Sequence, residues 1–147
     1  YALLNLSATY NAQGKNEQAL KALNLAIKND ATNDRIYYNK ALLYFEMNNL
    51  KEAEKSFAKA VELKSSNPKV YYNYGLLLDK NNKQKEAETV LLKGININPS
   101  DPELHYALAY VYIKMNNKSK ALQVAIKLKQ MDPNNPNYQQ VFQSLGI

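Results

Sequence analysis

A single alanine recurs along this chain at a fixed interval. Its four copies stand 34 residues apart, at Ala19, Ala53, Ala87 and Ala121. An Asn-Pro or Asp-Pro pair recurs with the same interval, at Asn67-Pro68, Asp101-Pro102 and Asn135-Pro136. A period of this size indicates stacked supersecondary units, each of which is too small to bury its apolar face alone. The pattern therefore predicts a repeat array, an architecture that usually provides a binding surface.

Each unit contains two segments with the apolar periodicity of a helix, for example residues 71–78 and 87–95. Short breaks that contain Gly or Asn follow the first segments, at residues 13–16, 48–49, 81–83 and 116–118. Gly and Asn accept the left-handed backbone conformation that ends a helix. Asn67, Asp101 and Asn135 can accept hydrogen bonds from free amides at the next helix start, and the proline after each suits the first helical position. The chain is therefore predicted to be all-α, with two helices per repeat.

Side-chain size also follows the repeat when the units begin at Asp34, Pro68 and Pro102. The eighth position is small in all four units, at Ser7, Ala41, Gly75 and Ala109. Together with the recurring alanine at the twentieth position, these small residues allow the two helices of a unit to approach closely. The fourth unit has Ala125 where a large residue is usual and Leu128 where a small one is usual, which we interpret as compensated packing.

This register resembles the tetratricopeptide repeat (TPR) family over the whole chain without a gap. The resemblance is clear at Tyr71-Tyr72-Asn73-Tyr74-Gly75, Lys85-Glu86-Ala87 and Asn98-Pro99. It implies a right-handed α-α superhelix of four helix-turn-helix repeats with a capping helix at the C-terminal end. We assign the repeats to residues 1–33, 34–67, 68–101 and 102–135, and the capping helix to 136–147, all within one TPR domain of a longer protein.

The two ends of the chain support this assignment. The first helix is apolar nearly all round, with Leu3, Leu4 and Leu6, and such a helix expects neighbours on every side. We therefore expect repeats or a partner upstream of it, and self-association through it. At the C-terminal end, one apolar stripe opposed by glutamines predicts the capping helix. The residues of this stripe are Tyr138, Val141, Phe142 and Leu145.

The residues for catalysis or metal binding are missing. Cysteine is absent, which excludes disulfide and thiolate chemistry. The single histidine, His105, takes the fourth repeat position and is expected to pack between helices, with no second His or Cys to complete a metal site. The paired carboxylates are Glu52 with Glu54 and Glu86 with Glu88. Each pair lies two residues apart on one helix, so its members point in different directions. We predict a protein that is not an enzyme, with no catalytic residue, metal or cofactor.

Charge and hydropathy restrict the partners. The net charge is +6, but lysines are interleaved with glutamates, as at residues 51–55, which is typical of a solvated helix surface. No segment approaches the roughly 18 consecutive apolar residues of a membrane span, so no membrane insertion is expected. Localisation stays undetermined, since both the cytoplasm and a bacterial periplasm fit the sequence.

The family resemblance places the ligand-binding residues mainly on first helices, in a concave groove. The fifth position forms a tyrosine series, whose rings bury side chains at little conformational cost. The sixth position forms an asparagine series, whose carboxamides both donate and accept hydrogen bonds. In the first repeat, the ninth and twelfth positions are Ala8 and Asn11. The predicted peptide-binding residues are Leu4, Asn5, Tyr38, Asn39, Leu42, Phe45, Tyr72, Asn73, Leu76, Tyr106, Tyr110 and Ile113.

We therefore predict a non-catalytic scaffold that binds an extended peptide or a partner helix in this groove. A second hypothesis is an assembly or oligomerisation module of a larger bacterial complex. A third hypothesis, RNA binding, requires a basic groove. The groove charges are Arg35, Lys69, Lys80 and Lys114 against Glu46, Asp79 and Glu103. Because these differ by only one charge, a protein or peptide is the expected partner and nucleic acid is not.

Overall fold

The computed structural model describes all 147 residues, and its regular structure is entirely helical. The nine helices are α1 (Ala2–Ala12), α2 (Asn16–Asn29), α3 (Asp34–Glu46), α4 (Leu50–Glu62), α5 (Pro68–Lys80), α6 (Gln84–Ile97), α7 (Pro102–Lys114), α8 (Lys118–Met131) and α9 (Gln139–Leu145). The prediction of an all-α chain with two helices per repeat and a C-terminal helix is confirmed. The chain divides into two compact units, unit 1 (Tyr1–Ser65) and unit 2 (Ser66–Ile147).

Three of the first helices begin at the residues that the sequence predicts. The side-chain oxygens of Asn33, Asn67 and Asp101 accept hydrogen bonds from first-turn backbone amides at 3.1, 3.0 and 3.0 Å. Pro68 and Pro102 then occupy the first turn, where their missing N–H leaves no bond unmade. These caps stabilise each helix start by about 1 kcal/mol.

The last Asn-Pro pair behaves differently. The Asn135 side chain accepts from the amide of Asn137 at 3.0 Å, but it also donates to the Asp132 carboxylate at 2.8 Å. These local bonds hold the segment in turns, because side-chain hydrogen bonds offer the backbone an alternative to the helix. Helix α9 therefore begins at Gln139, later than the predicted Pro136.

Each first helix is followed by a residue in the left-handed conformation, as the Gly- and Asn-containing breaks predict. These residues are Gly14, Asn48, Asn82 and Asn116, with φ angles of 70°, 58°, 60° and 56°. The residue after each one donates its amide back into the helix, for example from Lys83 to the carbonyl oxygen of Leu78 at 2.8 Å. The chain thereby reverses direction and enters the second helix of the repeat.

No helix has the length and apolar content that crossing a membrane requires.

In unit 1, α1 packs on α2, α2 on α3 and α3 on α4. One core cluster consists of Leu4, Ala19, Leu23, Ala26, Ile36 and Leu43. The small eighth-position residues Ser7 and Ala41 are buried where the paired helices approach. The Ser7 hydroxyl donates to the carbonyl oxygen of Leu4 at 2.8 Å, so its burial leaves no unpaired polar group.

In unit 2, α5 packs on α6, α7 on α8, and α7 also contacts α5 and α6. A Cβ atom on Gly75 would lie 2.7 Å from the side chain of Leu91, and one on Gly94 would lie 2.6 Å from the Cβ of Tyr71. These helices therefore approach more closely than alanine would allow. As predicted, His105 is buried between helices, and its Nδ1–H donates to the carbonyl oxygen of Asp101 at 2.8 Å.

Helix α9 covers α7 and α8 at the C-terminal end of unit 2. The four residues of the predicted apolar stripe are all buried: Tyr138, Val141, Phe142 and Leu145. The glutamines Gln140 and Gln143 lie on the exposed side, as expected for a helix with a polar outer face.

Candidate functional site

The predicted peptide-binding residues all lie on the first helices α1, α3, α5 and α7. Leu4 is the only one of them that is buried. It is 6% exposed and belongs to the core of unit 1. The next residue, Asn5, is exposed instead. Helix α1 is apolar nearly all round, so its sequence alone did not distinguish the core-facing side. Leu6 and Tyr1 are exposed by 41% and 89%, and self-association through α1 stays a prediction.

Unit 1 contains a cleft of about 140 Å³ between α1, α2 and α3. It is lined by Ser7, Ala8, Asn11, Ala19, Leu23, Asn39, Leu42, Leu43 and Glu46. We call this set the unit 1 cleft. Asn39 and Leu42 belong to the predicted binding set, and Ala8 and Asn11 stand at the equivalent positions of the first repeat. Of the two small residues of α1 that line the cleft, Ser7 and Ala8, only Ala8 stands where the later repeats have a larger side chain.

The unit 1 cleft has an apolar floor and a polar rim. Ala19, Leu23 and Leu43 are buried and form the floor. Asn11, Asn39 and Glu46 supply two carboxamides and one carboxylate. None of these three side chains makes a hydrogen bond or ion pair within the protein. The rim therefore has both donors and acceptors available for a bound molecule.

The corresponding part of unit 2 contains an ion pair. The ammonium group of Lys114 on α7 donates to the carboxylate of Asp79 on α5 at 2.8 Å. Only 8% of the Asp79 side chain is exposed, and Gln84 donates a longer bond to it at 3.4 Å. The hydrogen bond to Asp79 raises the pKa of the Lys114 ammonium group. Lys114 also lies 5.5 Å from the ring centre of Tyr110, so it contacts one of the predicted binding residues.

Two of the predicted tyrosines in unit 2 belong to a cluster that includes Tyr138. The rings of Tyr106 and Tyr138 are 5.0 Å apart. Burial raises the pKa of Tyr72, and the nearby Glu103 carboxylate and Tyr106 add to the effect. Burial also raises the pKa of Tyr138, and Glu103 contributes there too. The segment before α9 thus packs beside the predicted peptide-binding residues of unit 2. The repeat pattern does not predict this contact.

Glu88 connects three helices of unit 2. Its carboxylate accepts from the Tyr112 hydroxyl at 2.9 Å and from the Lys120 ammonium group at 3.0 Å. Burial, together with the bond to Glu88, raises the pKa of Tyr112 to about 12. Local spacing pairs Glu88 only with Glu86 and does not predict these contacts, because the partners are 24 and 32 residues away.

Unit 1 has a different set of aromatic and charged contacts. The rings of Tyr38 and Phe57 are 6.2 Å apart, so Tyr38 packs partly against α4. The ion pairs Lys55–Glu52 and Lys59–Glu62 each lie within α4, three residues apart. No group of three or more His, Asp or Glu side chains is placed to hold a metal ion.

Two sequence models of one family match the chain. A tetratricopeptide repeat model matches residues 34–67 and 102–135. A TPR repeat model matches residues 9–48 and 80–116, which together make up more than half of the chain. Comparison with curated proteins gives no match.

Several solved structures are similar to the whole chain. They include pilF from Pseudomonas aeruginosa, with a TM-score of 0.80 and 24% identity over 98% of this chain and 66% of that one. MamA from Desulfovibrio magneticus RS-1 gives a TM-score of 0.80 and 23% identity, over 99% and 80% of the two chains. YrrB, described as a TPR protein with an unusual peptide-binding site, gives a TM-score of 0.78 and 20% identity, over 97% of this chain and 75% of that one. At these identities the similarity establishes the fold alone.

Proposed function

The chain belongs to the tetratricopeptide repeat family, and we propose that it binds an extended segment of a partner protein on its first helices. Proteins of this family generally serve as protein-interaction scaffolds and not as catalysts. The peptide-binding site in the printed description of YrrB is consistent with this proposal.

The observation that carries the proposal is the unit 1 cleft. Its volume of about 140 Å³ suits one apolar side chain inserted from a strand-like segment, over the apolar floor of Leu23 and Leu43. Burial of apolar surface there supplies affinity at roughly 25 cal/mol per Å² before the costs of association. The cleft therefore has the combination of an apolar floor and a few polar groups that is typical of ligand sites.

The polar rim favours an extended segment over a partner helix. Asn11 and Asn39 have no hydrogen-bond partner within the protein, and both line the cleft. The backbone amides and carbonyls along a helix are already bonded to each other. A helix can therefore pair with these carboxamides only through its side chains, and any carboxamide left unpaired at a contact that excludes water is costly. An extended chain presents free N–H and C=O groups that the carboxamides can pair with.

We propose that the other predicted residues extend the binding surface, separately on each unit. Tyr110 and Phe45 are exposed by 39% and 44%, and aromatic side chains commonly act as anchors in interfaces. Tyr72 is half-buried, close enough to Tyr106 for that residue to contribute to its raised pKa. The proposed residues are Asn5, Tyr38, Asn39, Leu42, Phe45, Tyr72, Asn73, Leu76, Tyr106, Tyr110 and Ile113.

The test is to fill the cleft without disturbing the fold. Ala8→Leu places in the first repeat the residue that the second and third repeats have at the same position, Leu42 and Leu76. Ala8 is exposed, so the fold should tolerate the larger side chain. A peptide selected on the parent protein from a library of random linear peptides should bind Ala8→Leu at least about tenfold more weakly, which corresponds to about 1.4 kcal/mol.

The matched control is Ala58→Leu, which adds the same side chain at an exposed position of α4, outside the cleft. Calorimetric titration measures the affinities, and circular dichroism verifies that both variants are folded. If no selected peptide loses affinity for folded Ala8→Leu, the cleft is not the binding site and the proposal is wrong.

A further inference from the structure

Equivalent positions in the two units differ in charge. The twelfth position of one repeat and the thirteenth of the next hold Asp79 and Lys114 in unit 2, whose charged atoms are 2.8 Å apart. In unit 1 the same two positions hold Asn11 and Glu46, and both side chains line the cleft. The carboxylate of Glu46 has no cation opposite it and makes no hydrogen bond or ion pair.

We infer that the unit 1 cleft selects a peptide with a lysine or arginine side chain against Glu46 and an apolar side chain beside it on the cleft floor. This inference rests on the proposed function and specifies the chemistry of the partner. The cation supplied by the peptide pairs with the Glu46 carboxylate, as the Lys114 cation pairs with the Asp79 carboxylate in unit 2.

Hydrogen-bond chemistry at the rim favours a cation. A carboxylate is an acceptor only, and the Asn11 carboxamide oxygen is a second acceptor lining the same cleft. An ammonium or guanidinium group has donors for both and forms the stronger, charge-assisted type of bond. A peptide without such a donor gains no bond to the exposed Glu46 carboxylate, and an acidic peptide is repelled by it.

The floor of the cleft defines the neighbouring residue of the peptide. Leu23, Leu42 and Leu43 line the cleft beside the rim that holds Glu46. Successive side chains of an extended segment point to opposite sides, so a residue two positions from the cation faces the same way. The recognised pattern is therefore a basic residue and a Leu-, Ile- or Val-sized residue two positions apart.

The positive net charge of the protein works against the selection of basic peptides, so a basic preference in the cleft is readily distinguished from general charge attraction. A charge of +6 attracts acidic peptides regardless of where they bind. Acidic peptides are therefore the expected background of any selection. Peptides bound in the cleft are recognised separately, because Ala8→Leu abolishes their binding and leaves background binding unchanged.

The experiment selects a displayed library of random linear peptides on the parent protein, on Glu46→Gln and on Glu46→Lys. The cleft-dependent peptides selected on the parent should contain lysine or arginine in the predicted pattern. Those selected on Glu46→Lys should contain aspartate or glutamate at that place instead. A lysine peptide from the parent selection should bind Glu46→Gln about fivefold more weakly, the size expected for an exposed ion pair. Its binding to Glu46→Lys should be weaker still.

Glu62→Lys is the charge-matched control, because α4 contributes no residue to the cleft and Glu62 is exposed. This variant should bind the lysine peptide as the parent does. If cleft-dependent peptides show no basic residue, or bind Glu46→Gln as tightly as the parent, the inference is overturned and the proposed function stands. If no selected peptide depends on Ala8, both the inference and the proposed function are wrong.

Discussion

Unit 1 and unit 2 are built from the same repeat pattern, yet their first helices meet in different ways. In unit 2, α5 packs directly against α7, and the Asp79–Lys114 pair joins the two helices. In unit 1, α1 and α3 line a cleft, with Ala8 where unit 2 has Leu76 and Glu46 where it has Lys114. A few side chains at equivalent positions thus decide whether a repeat pair uses this face for its own packing or leaves it open.

The charged contacts of the two units differ in the same sense. Lys55–Glu52 and Lys59–Glu62 lie within one helix of unit 1, where exposed pairs contribute about 0.5 kcal/mol or less. In unit 2, the Asp79–Lys114 and Glu88–Lys120 pairs join different repeats, and both carboxylates are largely buried. Polar contacts therefore specify how the repeats of unit 2 fit together, and apolar packing dominates between the repeats of unit 1.

The largest expected difference concerns the twenty-fourth repeat position. Leu91 is fully buried and lies directly against Gly75, so Leu91→Ala should leave a closed cavity and cost about 4 kcal/mol of unfolding free energy. Leu23 is equally buried but lines the unit 1 cleft, so water and neighbouring side chains can occupy the space. Leu23→Ala should therefore cost only about 2 kcal/mol.

Urea unfolding measures both costs, and hydrogen exchange assigns the loss to each unit. Equal costs for Leu91→Ala and Leu23→Ala would show that the two units are packed alike at this position, contrary to the comparison.

The next largest expected difference in stability is between substitutions of Lys114 and Glu46, which share the thirteenth repeat position. Lys114→Met removes the main partner of the buried Asp79 carboxylate, leaving it only the longer bond from Gln84. We expect a loss of about 2 kcal/mol, since Lys114 is partly solvent-exposed and the penalty lies below that of a fully buried pair. Glu46→Gln at the equivalent position of unit 1 should change stability by less than about 0.5 kcal/mol.

Adding Asp79→Asn to Lys114→Met should recover part of the loss, because the unpaired charge is then gone. Thermal and urea unfolding of the single and double variants provide the measurement. A Lys114→Met variant as stable as the parent would mean that the ion pair does not hold the repeats of unit 2 together.

The smallest expected effect depends on pH. Tyr112→Phe removes the bond from the hydroxyl to Glu88, worth about 1.5 kcal/mol because one partner is charged. The pKa of Tyr112 is raised from its usual 10.0 to about 12, so the folded state holds this proton more tightly than the unfolded state. The resulting stabilisation is complete below pH 10 and declines as the pH rises towards 12.

Tyr112→Phe should therefore remove part of the alkaline loss of stability that the parent shows in this range. Tyr44→Phe, at the same repeat position in unit 1, is the matched control and should retain that loss. Urea unfolding at a series of alkaline pH values measures the difference. Parallel pH profiles for the parent and Tyr112→Phe would contradict the prediction.

Local features of the fold were predictable from the sequence. The caps at Asn33, Asn67 and Asp101 depend on side chains within a few residues of the amides they accept from. The left-handed turn residues depend on their own conformational preferences. The repeat period also predicts which positions of the later helices face the core. His105 and the apolar stripe of α9 are buried as expected.

The candidate site was predictable only in part. The family register located the face on the first helices, and Asn39 and Leu42 do line the unit 1 cleft. It did not reveal that Leu4 is a core residue or that Tyr138 packs on Tyr106. The reason is physical, since the apolar residues of α1 are not confined to one side of the helix and the Tyr138 contact joins separate elements.

The sequence alone thus determined the repeat period, the starts of α3, α5 and α7 and the absence of cysteine chemistry, because these depend on residue type and local spacing. Only the tertiary structure decided which side chains meet. Asp79 and Lys114 are 35 residues apart, and their contact depends on how α5 and α7 pack. Whether the equivalent face of unit 1 stays open depends equally on the distance between α1 and α3, which packing of the whole unit sets.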